Sequence, residues 1–362
     1  MIGWLRKINR TKNYYLKKHK LKVKLRLSST LSLRHLNKEK QKPSDFNHLI
    51  MTFIGKGIGD AIIIGGIIDT LVKNNYRVSV IADKRTHFLF EGWENISNLY
   101  LFELKNKHKI AESIRNDGAC VFIDSHEITY SNVYTFDLIR LIKPAVTIGF
   151  SGSYSIYDHA INFSQPLGHV SSRYIDLFDF LGIKGVTSYD YFVKIPEQSQ
   201  REAQDLINKS KGKKIVSFIP YGSVSERLFS KEQIDSILNY FSQHGDRLQV
   251  LIIGEQDKIK HIEDSENVLK NTYSSFFTAA ELIKESALVI SPDTSIVHLA
   301  RAFQKKIICI YPYKLLSNGA DNADTWGPNY NLAVQVRLTE RRIRDANVES
   351  IIKHIDNEIR TL

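Results

Sequence analysis

Leu288-Val289-Ile290-Ser291-Pro292-Asp293-Thr294-Ser295-Ile296-Val297-His298-Leu299-Ala300-Arg301-Ala302-Phe303 reads as a strand that runs into a helix. The apolar run 288–290 suits a buried strand, Pro292 stops it, and Asp293 or Thr294 can cap a helix over 295–303. The first turn of such a helix keeps unpaired N–H groups and the positive end of the macrodipole, a combination that favours a phosphate. An ordinary capped crossover has the same local pattern. A second loop of this kind, far away in sequence, bears on the choice.

That loop is Gly55-Lys56-Gly57-Ile58-Gly59-Asp60, placed between the apolar run 49–54 and a helical stretch over 61–73. Gly55, Gly57 and Gly59 let the backbone turn tightly and come close to a ligand. It is not the dinucleotide fingerprint, because position 60 is Asp where the third glycine belongs, and it lacks the Gly-Lys-Ser/Thr ending of a P-loop. Asp60 stands where α/β sheets present reacting groups, although a plain helix N-cap would look the same.

Working outward, strands are expected at 49–54, 77–82, 98–102, 119–123 and 145–149, with helices at 61–74, 108–116, 134–142 and 172–181. The rhythm pauses at Lys209-Ser210-Lys211-Gly212-Lys213-Lys214 and restarts with strands at 215–219, 248–253, 287–290 and 306–311. Helices are expected between them at 231–243, 278–285 and 295–303, with a last one at 348–359. The expected fold class is α/β, with two Rossmann-like doubly wound domains facing a central cleft. The expected boundaries are a basic extension over 1–46, an N-terminal acceptor domain over 47–195, a junction over 196–212, a donor domain over 213–335 and a terminal helix region over 336–362.

With 362 residues the chain suits two domains, and its net charge of +11 is lopsided. Residues 1–42 hold 14 Lys or Arg against Glu39 alone, a local +13, whereas the remainder has 36 basic and 38 acidic residues. No apolar run follows these charges as in a secretory signal, and Ala61–Ile68, the longest apolar run, is far too short to span a bilayer. Trp4, Leu5, Ile8, Tyr15 and Leu16 share one helical face, while Leu21, Val23, Leu25 and Leu27 alternate with Lys22, Lys24 and Arg26. Apolar anchors among cations suit an anionic membrane surface; a solvated arm and nucleic acid are the other readings. No nucleic acid is expected, since the body of the chain carries no basic excess. Cys120 and Cys309, each in an apolar run, argue for a reducing compartment, and no histidine pair has metal-ligand spacing, so neither metal nor cofactor is expected.

A third loop, Pro220-Tyr221-Gly222-Ser223-Val224-Ser225-Glu226-Arg227-Leu228-Phe229, offers close backbone at Gly222, a hydroxyl at Ser223 and a guanidinium at Arg227. In order, Gly59-Asp60, Gly222-Ser223 with a following cation and aromatic, and Asp293-Thr294 with His298-Leu299-Ala300 resemble the heptosyltransferases of lipopolysaccharide core assembly, glycosyltransferase family nine. The resemblance covers roughly 48–335 and includes Phe122-Ile123-Asp124-Ser125, His169 with Arg173, and Trp326-Gly327-Pro328.

The resemblance implies a GT-B fold, ADP-L-glycero-β-D-manno-heptose as nucleotide-sugar donor, a lipopolysaccharide core acceptor, inversion, no metal and no cofactor. It also implies a cytoplasmic enzyme, peripheral on the inner face of the bacterial inner membrane. Asp60 is the implied base; Gly222, Ser223, Arg227, Asp293, Thr294, Ser295 and His298 line the donor side; and Gly57, Gly59, Asp124, His126 and Arg173 belong to the loop or acceptor side. For His298 a structural packing role is the alternative reading. Ser295 departs from the family's usual glycine and bears on donor identity. Competing readings are a relative that uses another nucleotide sugar such as UDP-N-acetylglucosamine, a catalytically silent binding protein, and a nicotinamide-dependent oxidoreductase with Asp83 on the ribose.

Overall fold

The computed structural model describes residues 16, 19–30, 41–126, 131–150, 154–316 and 319–362. They form two compact units. The first holds the described residues of 1–57 together with 68–164 and 173–187; the second holds Ile58–Ile67, Gln165–Ser172 and Ser188–Leu362.

The first unit carries a helix over 19–30 (α1), then β1 His48–Phe53, α2 Ile58–Lys73, β2 Arg77–Ala82, β3 Ile96–Leu101, α3 Lys107–Asn116, β4 Val121–Asp124, α4 Asn132–Ile142, β5 Val146–Phe150, β6 His159–Ile161 and α5 Val170–Phe180. The opening turns of α2 and α5 count with the second unit. All six strands are parallel, in the order β3-β2-β1-β4-β5-β6. Every residue of β1 and β4 is buried, as expected of central strands covered by helices on both faces.

In the second unit follow α6 Glu197–Asn208, β7 Lys214–Phe218, α7 Lys231–Ser242, β8 Leu248–Ile252, α8 Gln256–Ile259, β9 Val268–Lys270, α9 Phe276–Glu285, β10 Leu288–Pro292, α10 Ser295–Ala302, β11 Ile307–Tyr311, α11 Asn322–Thr325, β12 Ala333–Arg337 and α12 Val348–Ile359. The sheet order β12-β11-β10-β7-β8-β9, all parallel, repeats the plan of the first sheet. In each, the strand order reverses between the first and fourth strands of the unit, which are β1 and β4, then β7 and β10. Ligands of such sheets bind outside the carboxyl ends of the strands at that reversal. The α/β class with two doubly wound sheets is therefore what the structure has.

The strands β6, β9 and β12 were not expected from the sequence, and the segments 196–212 and 21–27 also differ from their reading. The stretch 196–212, expected as a junction, contains α6, whose buried Ser199, Ala203 and Leu206 pack it onto α9 of the second unit. Three buried positions in twelve leave a helix that looks polar in sequence. The alternation at 21–27 lies within α1, which turns Leu25 and Ser29 into the first unit: Leu25 is fully buried with Ile50 and Phe122, and the Ser29 and Ser155 hydroxyls are 2.9 Å apart. Leu, Lys and Arg are good helix formers, and a four-residue spacing toward a core outweighs a short two-residue period. Trp4, Leu5, Ile8 and Tyr15 lie outside the described residues.

Candidate active site

At the β7/β10 reversal the chain builds a corner from the loop after β7 and the start of α10. In the loop after β7, the Gly222 N–H donates to the Arg227 carbonyl at 2.9 Å and the Arg227 N–H to the Val224 carbonyl at 3.0 Å. A Cβ at Gly222 would stand 2.7 Å from that of Arg227, so glycine permits the tight return. The turn sends Arg227 inward to Asp293, with guanidinium nitrogen and carboxylate Oδ2 at 2.5 Å. Asn322 Nδ2 donates to the same oxygen at 2.8 Å. Both donors therefore fall on Oδ2, and Oδ1 keeps its lone pairs free of any partner among the described residues. Burial pushes the Asp293 carboxyl above the usual range, against the opposing pull of Arg227, Asn322 and Lys314.

Thr294, not Asp293, caps α10. Its Oγ1 accepts from the Ile296 N–H at 3.2 Å and lies 3.0 Å from the Ser291 hydroxyl. The N–H groups of Thr294 and Ser295 meet no acceptor among the described residues, and Ser295 is half-buried beside them. Ser223 is exposed on its loop.

His298, one turn further along α10, is buried, and its Nδ1 has no hydrogen-bond partner among the described residues. Burial above all, then the neighbouring His169, Arg301 and Arg227, lowers its pKa to about 3, so the ring is neutral. It packs flush on the glycine loop: a Cβ at Gly59 would lie 2.8 Å from the His298 Cδ2 and 3.8 Å from the Ser295 Cα. Only a glycine fits there without a shift. This contact carries Asp60, the next residue and itself half-buried, to the start of α10.

Around this corner two weaker motifs meet. His169 Nε2 lies 2.8 Å from the Gly327 carbonyl and so donates to it, while Nδ1 faces the Ser171 hydroxyl at 2.7 Å. Burial first, with Arg301 adding to it, pulls the His169 pKa to about 4 against the bond to Gly327. Arg301 donates to the Tyr191 hydroxyl at 3.1 Å and to the Pro328 carbonyl at 3.3 Å, with its guanidinium carbon 4.1 Å from the Tyr191 ring centre. Both histidines have folded pKa values below the unfolded 6.5, so the unfolded chain binds more protons, and their stability contribution is present above pH 6.5 and lost as pH falls toward 4 and 3. Going from pH 7 to pH 5 should cost on the order of 2 kcal/mol for each. Thermal melts across that range should show the loss, and His169→Gln should remove about half of it.

The first reversal, between β1 and β4, holds a latch on the glycine loop. Gly55 donates its N–H to Asp83 Oδ2 at 2.8 Å, and Lys56 Nζ reaches the Ser125 carbonyl at 3.0 Å. The Asp124 carboxylate, with no exposure at all, accepts from the His126 N–H at 3.1 Å, the His126 ring at 2.7 Å, Asn132 at 3.1 Å, Thr135 at 2.5 Å and Tyr157 at 2.7 Å. Desolvation raises its pKa, but these donors outweigh burial and hold it below the usual range. The other His126 nitrogen faces the Ile54 carbonyl at 2.6 Å.

Thus the second unit brings together Gly59, Asp60, Gly222, Arg227, Asp293, Thr294, Ser295 and His298, whereas Gly57, Asp124, His126 and Arg173 fall in the first. Asp124 and His126 spend their hydrogen bonds inside the protein, and Arg173 is buried with its guanidinium carbon 5.3 Å from the Phe163 ring centre. Asp83, the residue a ribose would need, is taken by Gly55 and the Arg85 N–H. Sequence reasoning missed Asn322, Arg301 and Tyr191. Asp321, which caps α11 just before the noted Trp326-Gly327-Pro328, is the signal that could have drawn attention to Asn322. Among the described residues no group of three or more His, Cys, Asp or Glu could hold a metal ion.

Comparison with known proteins bears on the family and the fold. The sequence model of glycosyltransferase family 9 (heptosyltransferase) matches residues 108–355. A protein of Escherichia coli strain K12, named as a candidate lipopolysaccharide heptosyltransferase 4, is 20% identical over 358 residues, 96% of each chain. Among solved structures, a family 9 glycosyl transferase of Veillonella parvula aligns with a TM-score of 0.69 at 17% identity, over 90% of this chain and 100% of that one. The Escherichia coli heptosyltransferase WaaC with ADP aligns with a TM-score of 0.64 at 12% identity, over 86% and 99%. At these identities the likeness is one of fold.

Proposed function

The chain belongs to glycosyltransferase family 9, and from that membership we propose an inverting, metal-independent transfer of heptose from ADP-L-glycero-β-D-manno-heptose to a lipopolysaccharide core acceptor. The observation that supports the reading is the packing of Gly59, the residue before Asp60, on His298 and Ser295 at the start of α10, the helix that follows the Asp293 and Arg227 pair.

In this reading Asp60 takes the proton of the acceptor hydroxyl as its oxygen attacks the anomeric carbon. The bond from that carbon to the diphosphate breaks on the opposite face, and the electron pair leaves with the diphosphate. Arg227, Ser223 and the N–H groups of Thr294 and Ser295 meet the departing charge, as an oxyanion site does. Asp293 orients donor hydroxyls through its free Oδ1.

Asn322 fixes the Asp293 carboxylate, and Asn322→Leu should raise the KM for the nucleotide sugar about tenfold while the Kd for free ADP changes less than about twofold. Calorimetry with ADP beside steady-state kinetics checks this. The transfer itself is tested by intact-mass analysis of core oligosaccharides incubated with ADP-heptose, UDP-N-acetylglucosamine and related donors. A product with a UDP sugar alone refutes the heptose assignment, and Ser295→Gly is the variant on which any altered preference should turn.

Such an acceptor is lipid-anchored, which places the work at the inner face of the inner membrane with the basic residues 1–42 against its anionic surface. Among the described residues no helix is long and apolar enough to cross a membrane.

A further inference from the structure

α1 has two faces, and only one is used by the fold. Leu25 and Ser29 point into the first unit, and Arg140 holds the helix from outside by donating to the Ser28 carbonyl at 2.6 Å. On the opposite side, Val23 is 43% and Leu27 60% exposed, and with His19, Lys20, Lys24 and Ser28 they line a shallow, mostly apolar groove. The spacing of 20, 23, 24 and 27 is one helical stripe, an aliphatic seam flanked by cations.

We propose that this outer stripe of α1 is a membrane-docking face: Val23 and Leu27 enter the headgroup boundary of an anionic bilayer while Lys20 and Lys24 meet lipid phosphates. The inference rests on the reading of residues 1–42 as a membrane contact and assigns that contact to one face of one folded helix. Charge chooses the occupant. The tail carries +13 while the other 320 residues carry a net −2, so attraction to an anionic surface acts through the tail and a second copy of the same tail is repelled. Exposed Val and Leu, lacking aromatic rings, offer bases nothing to stack on but suit acyl chains. Because the inner face is part of the core around Leu25, docking holds the first unit at the surface rather than on a loose tether.

Sedimentation of the full chain with vesicles of phosphatidylcholine, alone or with about one-third phosphatidylglycerol, provides the test. The wild type should bind the anionic vesicles and lose them at high salt. Val23→Glu with Leu27→Glu should lower partition about tenfold or more. Gln200→Glu with Gln204→Glu, on the exposed side of α6, makes the same change in net charge and should alter partition less than about twofold. Equal loss in both variants overturns the docking face, as does unchanged partition in the first. Binding to poly(U) without binding to vesicles overturns it in favour of nucleic acid, and a dimer dissolved by Val23→Glu overturns it in favour of self-association. The transferase reading is judged separately, on a lipid-free core oligosaccharide, where the α1 variant should keep its rate. Vesicle binding through Val23 and Leu27 in a chain that transfers no sugar would uphold the docking face and sink the enzyme.

Discussion

Asp60→Asn is expected to lower turnover by about 10² to 10⁴ while leaving the Kd for ADP within about twofold, because an amide cannot accept the proton that the acceptor hydroxyl must lose. The substitution keeps size and hydrogen-bonding shape, so the packing of Gly59 on His298 should survive and the melting temperature should hold. Single-turnover transfer and ADP calorimetry on the same preparation separate chemistry from binding. Retained turnover would mean that another group, or none, takes the proton. A parallel loss of ADP binding would mean that Asp60 organises the donor site. For a catalytically silent binding protein, the variant should leave cellular function untouched.

The second large effect is expected at Arg227. Arg227→Met removes the guanidinium that lies 2.5 Å from Asp293 and is the strongest donor on hand for a diphosphate. Truncating one partner of such a pair costs about 2 to 5 kcal/mol, so ADP affinity should fall roughly 30-fold or more. Stability should fall as well, since Asp293 is left buried with Asn322 and distant Lys314 as its remaining support. The sign with pH follows. Burial already raises this carboxyl, and without Arg227 it rises further, so the folded form binds its proton more readily than the unfolded chain. The variant's deficit relative to wild type should therefore shrink on going from pH 7 to pH 5. Arg227→Met with Asp293→Asn should recover the melting temperature but not ADP binding. Recovery of both would show that Arg227 serves only to neutralise Asp293.

The strands that carry the site were legible because they are buried on both faces: β1 reads His-Leu-Ile-Met-Thr-Phe and β10 Leu-Val-Ile-Ser-Pro, and such runs announce themselves without alternation. The shortest edge strands were not. β6 is His-Ala-Ile and β9 Val-Leu-Lys, each three residues long, and their register is imposed by β5 and β8 rather than by any pattern of their own. All three loops chosen from sequence meet around the start of α10, Gly59 against His298 and Arg227 against Asp293, because glycine and cap chemistry are local signals. The partner of Asp293 most like a side-chain clamp, Asn322, was hidden because an Asn before a four-residue helix looks like any turn residue, and its role exists only across a span of 29 residues. Asp124 and His126 illustrate the converse: polar residues after a strand look like ligands for a substrate, yet here their bonds are consumed in holding Ile54 and one another.

The opening turns of α2 count with the second unit, and this has a consequence for how the protein is made. Ile62, Ile63, Ile64 and Ile67 are almost fully buried, and Gly59 finds its seat only against a histidine 239 residues downstream. At common rates of synthesis of about 5 to 20 residues per second, that seat emerges from the ribosome roughly ten to fifty seconds after the segment that needs it. The nascent chain thus carries the glycine loop without its seat through most of its elongation, and this corner of the fold closes late in biosynthesis.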